Sequence, residues 1–305
     1  MRVLRIGSRG SQLALWQAHY VQDALRRMAG VESEIVVVKT AGDRAAQSSI
    51  GQLGLKGVFI KELEDALLGG RVDLAVHSMK DVPTDTPAAL CIAAITERAD
   101  VRDCLVSKKS APLAALPAGA RIGTSSLRRQ AQLRNRRGDL AVVELRGNVD
   151  TRLRKVEQGE LDGVVLAKAG LDRLGWSERI SEVFAPEFML PAVGQGALGI
   201  ECRADDADVI RAVGALDHST TRAALEAERS LLKQLEGGCQ VPLGAWARVA
   251  NGSLALDACL LSPDGTQCIR DQIGGRAEEA AVLGSMLAER LFAKGAKEIL
   301  KLAGR

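Results

Sequence analysis

The sequence predicts an α/β protein with two similarly built lobes, followed by a smaller α+β domain containing a three-stranded antiparallel sheet. Three observations carry this expectation. Strand-like apolar runs alternate with helix-period segments through the first two thirds of the 305 residues, the pattern of α/β layers. Three short patterns recur in the same order: RIGS at 5–8 returns as RIGT at 121–124, IVVVKTAGD at 35–43 is echoed by AVVELRGNVD at 141–150, and GGRVDLAVHS at 69–78 by QGELDGVVLA at 158–167. In the last pair Gly70/Gly159, Asp73/Asp162 and Val76/Val165 share one offset. From Ser219 the pattern changes to a long helix to residue 235, strands near 241–249, 254–261 and 266–273, and closing helices at 276–294 and 296–303. Asn251-Gly252 and Pro263-Asp264-Gly265 mark the hairpins.

Two lobes of about a hundred residues with a ligand cleft between them resemble the periplasmic-binding-protein architecture. The expected boundaries are 1–96 with 197–215 for the first domain, 97–196 for the second and 216–305 for the third. Residues 97–103 and 191–201 (PAVGQGALGIE) read as the crossings, the latter bringing Gln195.

In the first lobe a strand at 3–7 leads to a helix at 12–28, whose Leu13, Trp16, Tyr20, Ala24, Leu25 and Met28 recur at helical spacing and read as core. Ser11 is a good N-cap, and Arg9 beside it is either solvated or part of an anion site at the helix start. A second strand spans 34–39, and 44–56 reads as a loop able to cover a site. A helix at 61–68 and an apolar strand at 74–76 then give way to His77, Ser78, Lys80 and Asp81, with Pro83 ending regular structure. Polar groups at the carboxyl end of a buried strand are where α/β folds hold ligands. Asp81 serves either to brace the turn before Pro83 or as an acid–base group, and Lys80 is either solvated or its partner.

The second lobe carries the stronger anion signals. Thr124, Ser125, Ser126, Arg128 and Arg129 follow a strand at 120–123 and open a helix, gathering hydroxyls, free N–H groups and guanidiniums. Arg146 ends the next strand and Arg152 begins the following helix, so these arginines are expected at one cleft edge, whereas Arg134, Arg136 and Arg137 are expected in solvent. Arg173 follows the strand at 163–166. In the third domain the loop Glu236-Gly237-Gly238-Cys239-Gln240-Val241-Pro242 leaves Cys239 either an inert thiol after a capped helix or a thiolate able to bond covalently.

Composition narrows the function. With 47% hydrophobic and 26% charged residues the chain is an ordinary globular protein, and no run of 18 apolar residues suggests a membrane span. The N-terminal stretch lacks a signal-peptide pattern, and six scattered cysteines without CxxC spacing read as reduced thiols, so a cytoplasmic location is expected. Three separated histidines argue against a metal site, and none is expected. The cluster of basic residues from Arg128 to Lys155 suggests nucleic acid, but it lacks stacking aromatics, and the whole chain is only 3% aromatic. A small polyanion held in a cleft fits better.

SRGSQLALWQ, AVHSMKDVP, GTSSLRRQ, LRGNVDTRL, PAVGQGALGIECR and LEGGCQVPLGA, in this order and from about residue 4 to 300, resemble porphobilinogen deaminase (hydroxymethylbilane synthase). The resemblance implies a transferase of tetrapyrrole biosynthesis that condenses four porphobilinogens head to tail with loss of ammonia. Hydrolysis then releases the linear hydroxymethylbilane. It implies a dipyrromethane primer, attached by thioether to Cys239, and places the family aspartate at Asp81. The same resemblance implies that Arg9, Ser11, Ser78, Lys80, Thr124, Ser126, Arg128, Arg129, Arg146, Arg152, Arg173 and Gln195 bind acetate and propionate groups. A polyanionic pyrrole chain suits a guanidinium-lined site, and the cation left by ammonia suits a nearby carboxylate. Gln52 and Thr40-Ala41-Gly42-Asp43 depart from residues found in some members and leave the loop's contacts open. A monomer without nucleic-acid or membrane partners is expected. Two rivals remain: a two-lobed anion-binding protein without catalysis, and a nucleic-acid-binding protein using the arginine segment.

Overall fold

The computed structural model describes residues 2–38, 58–235 and 241–304. Its contacts divide the chain into one unit of Met1–Ala99 with Gly196–Arg222 and a second of Asp100–Gln195 with Ala223–Arg305.

In the first unit, β1 (Leu4–Ser8), β2 (Ser33–Val37), β3 (Leu74–Ser78), β4 (Leu90–Ile95) and β10 (Leu198–Arg203) form a sheet of order β2-β1-β3-β10-β4. β1 runs parallel to β2 and β3, while β10 is antiparallel to both β3 and β4. Strands covered on both faces read as continuous apolar runs, and β3 is buried at Leu74, Ala75, Val76 and His77. α1 (Gln12–Ala29), α2 (Val58–Leu68) and α6 (Ala207–Gly214) belong to this unit. The buried side of α1, Val21, Ala24 and Leu25, joins Ile6, Leu74 and Ile200 in the core. Ser11 caps α1 by accepting from the Ala14 N–H at 3.3 Å, and Gly30 stops it in the left-handed region at φ 63°.

The second unit repeats this sheet. β5 (Asp103–Ser107), β6 (Arg121–Gly123), β7 (Ala141–Val143), β8 (Gly163–Ala167) and β9 (Glu182–Val183) lie in the order β7-β6-β8-β5-β9. β6 is parallel to β7 and β8, and β5 is antiparallel to β8 and β9. The repeated motifs thus occupy the same sheet positions. The shared aspartates also perform the same task. Asp73 accepts from the Arg5 N–H at 2.9 Å and donates its own N–H to the Arg5 carbonyl at 2.8 Å, and Asp162 does so with Arg121 at 2.8 and 2.9 Å. α3 (Leu127–Arg136), α4 (Val149–Glu157) and α5 (Lys168–Arg173) accompany this sheet.

The same unit holds an antiparallel meander of β11 (Leu243–Ala250), β12 (Ser253–Leu261) and β13 (Cys268–Arg276). α7 (Ser219–Gln234), α8 (Ala280–Ala293) and α9 (Ala296–Leu302) supply Leu231, Leu287, Leu291 and Ile299 to a core with Leu256 and Leu260. Glu228 of α7 is fully buried and accepts from the N–H groups of Gly194 at 2.7 Å and Ala247 at 2.8 Å.

Two differences from expectation bear on the site. β3 continues through His77 and Ser78, because antiparallel β10 gives their backbone a partner in Gly199 and Leu198. β5 begins at Asp103, where a crossing was expected; its buried run is short and does not alternate, so periodicity does not reveal it. Arg173 closes a short helix, α5.

Candidate active site

In the first unit the chemistry gathers at the carboxyl end of β3. Ser78 ends the strand, and a 3₁₀ turn, Met79–Asp81, follows. The turn is anchored by the Met79 N–H, which donates to the Ala197 carbonyl at 3.0 Å, and by the Met79 side chain, which is 2% exposed. A methyl group at Gly199 would stand 2.2 Å from Met79 Sδ, so only glycine admits this packing. Behind the turn His77 Nε2 and Glu201 Oε2 meet at 2.9 Å across β3 and β10, both buried. Ser78 Oγ accepts from buried Gln17 Nε2 of α1 at 2.9 Å. These supports leave Asp81 half-buried, with a carboxylate that has no hydrogen-bond or ion-pair partner among the described residues. Lys80 adjoins it in the turn, also half-buried. Arg9 and Ser11 occupy the β1–α1 junction of the same unit, where Ser11 works as the helix cap.

In the second unit two of the four arginines expected at a cleft edge, Arg128 and Arg129, turn inward. Arg128 and Arg129 are 4% and 6% exposed and close on Asp103, which is wholly buried. Arg128 Nη1 donates to Asp103 Oδ2 at 2.6 Å and to the Leu190 carbonyl at 2.7 Å. Arg129 donates to Asp103 Oδ1 through Nε at 3.0 Å and Nη2 at 2.7 Å, and through Nη1 to the Val165 carbonyl at 3.0 Å. Gln195 Nε2 completes the group, donating to Asp103 Oδ1 at 3.0 Å and the Val101 carbonyl at 2.7 Å. Burial opposes ionisation of Asp103, but Arg128 and Arg129 outweigh it and hold the carboxyl well below the usual range. Burial lowers Arg128, and Asp103 offsets part of that effect.

One donor in this cluster is left over. Arg128 Nε is buried without a hydrogen-bond partner among the described residues. Ser126, the N-cap residue of α3, makes no side-chain capping bond, whereas buried Thr124 accepts from the Ser126 N–H at 3.2 Å. An orphaned guanidinium N–H and a hydroxyl that makes no capping bond, within three residues of one helix start, are suited to a carboxylate. Arg146 is exposed and paired with Glu144 at 2.7 Å, and Arg152 of α4 donates to the Gly147 carbonyl at 2.8 Å. Arg173 is half-buried at the end of α5. Of the three arginines expected in solvent, Arg136 is exposed and Arg134 and Arg137 are half-buried, and each donates to carbonyls: Arg134 to that of Pro263, Arg136 to that of Glu187, and Arg137 to those of Leu113 and Leu116. Extended guanidiniums find such acceptors at loop ends, which no sequence pattern marks.

Cys239, and with it the choice between inert and bonding thiol, lies outside the described residues, as do Gln52 and the 44–56 loop. Sequence reasoning missed Asp103, Glu201 and Gln17. Asp103 had one available signal, a lone carboxylate in an apolar run, DCLVS.

Two family models match the chain. Residues 4–211 match the porphobilinogen deaminase dipyromethane cofactor binding domain, and residues 223–293 match the porphobilinogen deaminase C-terminal domain. The chain belongs to the porphobilinogen deaminase family. A relative named porphobilinogen deaminase from Trichlorobacter lovleyi is 50% identical over 299 residues, covering 98% of this chain and 96% of that one. Another of that name from Geobacter metallireducens is 51% identical over 298 residues, covering 97% and 93%. Among solved structures, a periplasmic substrate-binding protein of an ABC transporter from Coxiella burnetii is similar at a TM-score of 0.44 and 16% identity, over 70% of this chain and 92% of that one. The expected family, its transferase activity in tetrapyrrole biosynthesis and its dipyrromethane cofactor are therefore borne out, and a binding protein without catalysis is not favoured. The residues present fit that cofactor, since its acetate and propionate groups would satisfy the Arg128 Nε donor and the Ser126 hydroxyl. No helix among the described residues is long and apolar enough to cross a membrane.

Proposed function

We propose that Asp81 is the acid–base residue of this porphobilinogen deaminase and that Cys239 carries its dipyrromethane through a thioether. The bound dipyrromethane supplies the pyrrole end onto which porphobilinogen units are added. The observation that carries the reading is the Asp81 carboxylate, set at the end of β3 by a buried anchor and engaged by no described side chain. A carboxylate placed so accepts pyrrole N–H hydrogen bonds and stabilises the positive charge that develops on substrate as ammonia leaves. Ser126, Arg128 and Arg129, with Thr124 and Gln195 supporting them, hold carboxylates in the second unit; Arg146, Arg152 and Arg173 add guanidinium charge. Arg9, Ser11, Ser78 and Lys80 serve the same role in the first unit. Charged hydrogen bonds contribute about 1.5–3 kcal/mol each, so a few of them dominate the binding of a multiply anionic chain.

On this reading the chain works as a cytoplasmic monomer in three domains, 1–96 with 197–215, 97–196 and 216–305, using no metal. The test is the intact mass of the purified protein followed by peptide mapping. A mass excess matching a dipyrromethane on the Cys239 peptide is expected. Protein that stays unmodified after incubation with porphobilinogen, or a pyrrole adduct retained in Cys239→Ser, overturns the attachment.

A further inference from the structure

Each unit holds a pair of close thiols, and the two pairs differ in chemistry. In the first unit Cys91 and Cys202 face each other across β4 and β10 with Sγ atoms 3.9 Å apart. Cys202 is buried, Cys91 is half-buried, and burial together with Cys91 pushes the Cys202 thiol up to about 12. In the second unit Cys259 of β12 and Cys268 of β13 stand 3.4 Å apart, with Cys259 buried and Cys268 exposed. Register pairs Cys259 with Arg270 and Leu261 with Cys268, so the thiols are diagonal neighbours on one face of the meander.

We propose that Cys259 and Cys268 form a reversible dithiol that hydroperoxides oxidise to a disulfide. Cys268 is the attacking thiol, since it alone of the two is open to solvent. Its surroundings favour the thiolate: the Cys259 thiol, 3.4 Å away, can donate to it, and Arg270 and Arg136 lie close enough to lower it against the opposing effect of burial, to about 6. Cys259 is raised by the same hydrogen bond and by burial, and stays protonated until it is needed.

The chemistry balances with hydroperoxide as the oxidant. The Cys268 thiolate attacks the peroxide oxygen and breaks the O–O bond, giving a sulfenic acid and water or an alcohol. The Cys259 sulfur, losing its proton to solvent, then displaces hydroxide from the sulfenic sulfur, forming the S–S bond and a second water. The Sγ atoms must close by about 1.4 Å to reach disulfide length, about 2.0 Å. Diagonal strand positions are wider than most disulfides span, but β13 is an edge strand and Cys268 is its first residue, where the backbone adjusts most readily. A bond formed under such constraint is easily reduced, which makes the pair reversible.

The test treats the reduced full-length protein with hydrogen peroxide, measures intact mass without reductant and maps the peptides. The expected result is the loss of two hydrogens, a Cys259–Cys268 crosslink and its reversal by dithiothreitol. Cys268→Ser should abolish the crosslink, and Cys259→Ala should leave a sulfenic acid at Cys268 that a dimedone probe traps. Alkylation of Cys268 by iodoacetamide should titrate with a midpoint near 6, and that midpoint should rise in Cys259→Ala. Three outcomes overturn the proposal: both thiols remaining free, Cys268 passing to sulfinic acid with Cys259 still alkylatable, or Cys91–Cys202 crosslinking as fast. Cys268 is exposed at the start of an edge strand, so Cys268→Ser remains informative even where the buried Cys259→Ala misfolds.

Discussion

Asp103 Oδ2 and Arg128 Nη1 meet at 2.6 Å in a place where the carboxylate is wholly buried and the guanidinium nearly so. The pair joins β5 to the first turn of α3 and fixes the arginine from which one N–H remains unused. The two arginines proposed to bind carboxylates in the second unit, Arg128 and Arg129, are therefore held by an internal anion. That arrangement presents guanidinium donors without leaving their side chains to reorganise.

Replacing Asp103 with Asn leaves Arg128 and Arg129 buried without a counter-charge. Removing one partner of a buried ion pair costs about 3–5 kcal/mol, and that loss should appear in urea or guanidinium unfolding of Asp103→Asn. A loss below about 1 kcal/mol would show that the cluster is not a structural support.

The same pair sets a pH dependence. The folded-state carboxyl of Asp103 is depressed, so its contribution is complete above the unfolded value, about 4, and disappears as pH falls toward the folded one. The melting temperature of the native protein should hold through neutral pH and fall below about pH 4. Asp103→Asn should lose less over that acid range, so the two curves converge as pH drops. Parallel curves would assign the acid sensitivity to other groups, Asp73 and Asp217 among them, whose carboxyls are also lowered.

Asp81→Asn tests the chemistry with little effect on folding. The Asp81 carboxylate supports no described hydrogen bond, so the change should alter stability by no more than about 0.5 kcal/mol. Turnover should fall by about a hundredfold to ten-thousandfold, the range for loss of a general acid–base group. Porphobilinogen consumption that persists near the native rate excludes Asp81 from that role.

Gly199→Ala probes the anchor beneath the turn. The added methyl would overlap Met79 Sδ, so the Met79 side chain must shift beneath the turn that carries Lys80 and Asp81. Overpacking of this kind costs about 1–3 kcal/mol, and turnover should fall with it. Pairing it with Met79→Ala frees the space, and the double variant should be more stable than the sum of the two losses predicts. Strict additivity would show that the two sites do not interact.

The sequence alone determined the family and the repeated α/β plan, and it named the residues proposed to meet the pyrrole chain. Those properties reside in local order. Alternating apolar runs specify strands and helices, a shared offset places Asp73 and Asp162 at equivalent positions, and long motifs such as AVHSMKDVP are contiguous. Tertiary structure decided which charges are inside. Arg128 and Arg129 read as cations facing a cleft edge until β5 brings Asp103, some twenty-five residues earlier, under the start of α3. Arg134 and Arg137 read as solvated until folding supplies carbonyls from distant loops and leaves them half-buried. The Asp81 turn likewise depends on Gly199 and Ala197, more than a hundred residues away, for the room and the acceptor that anchor Met79. Burial and ion pairing are properties of neighbours in space, and a chain's linear order states which groups exist long before it states which of them meet.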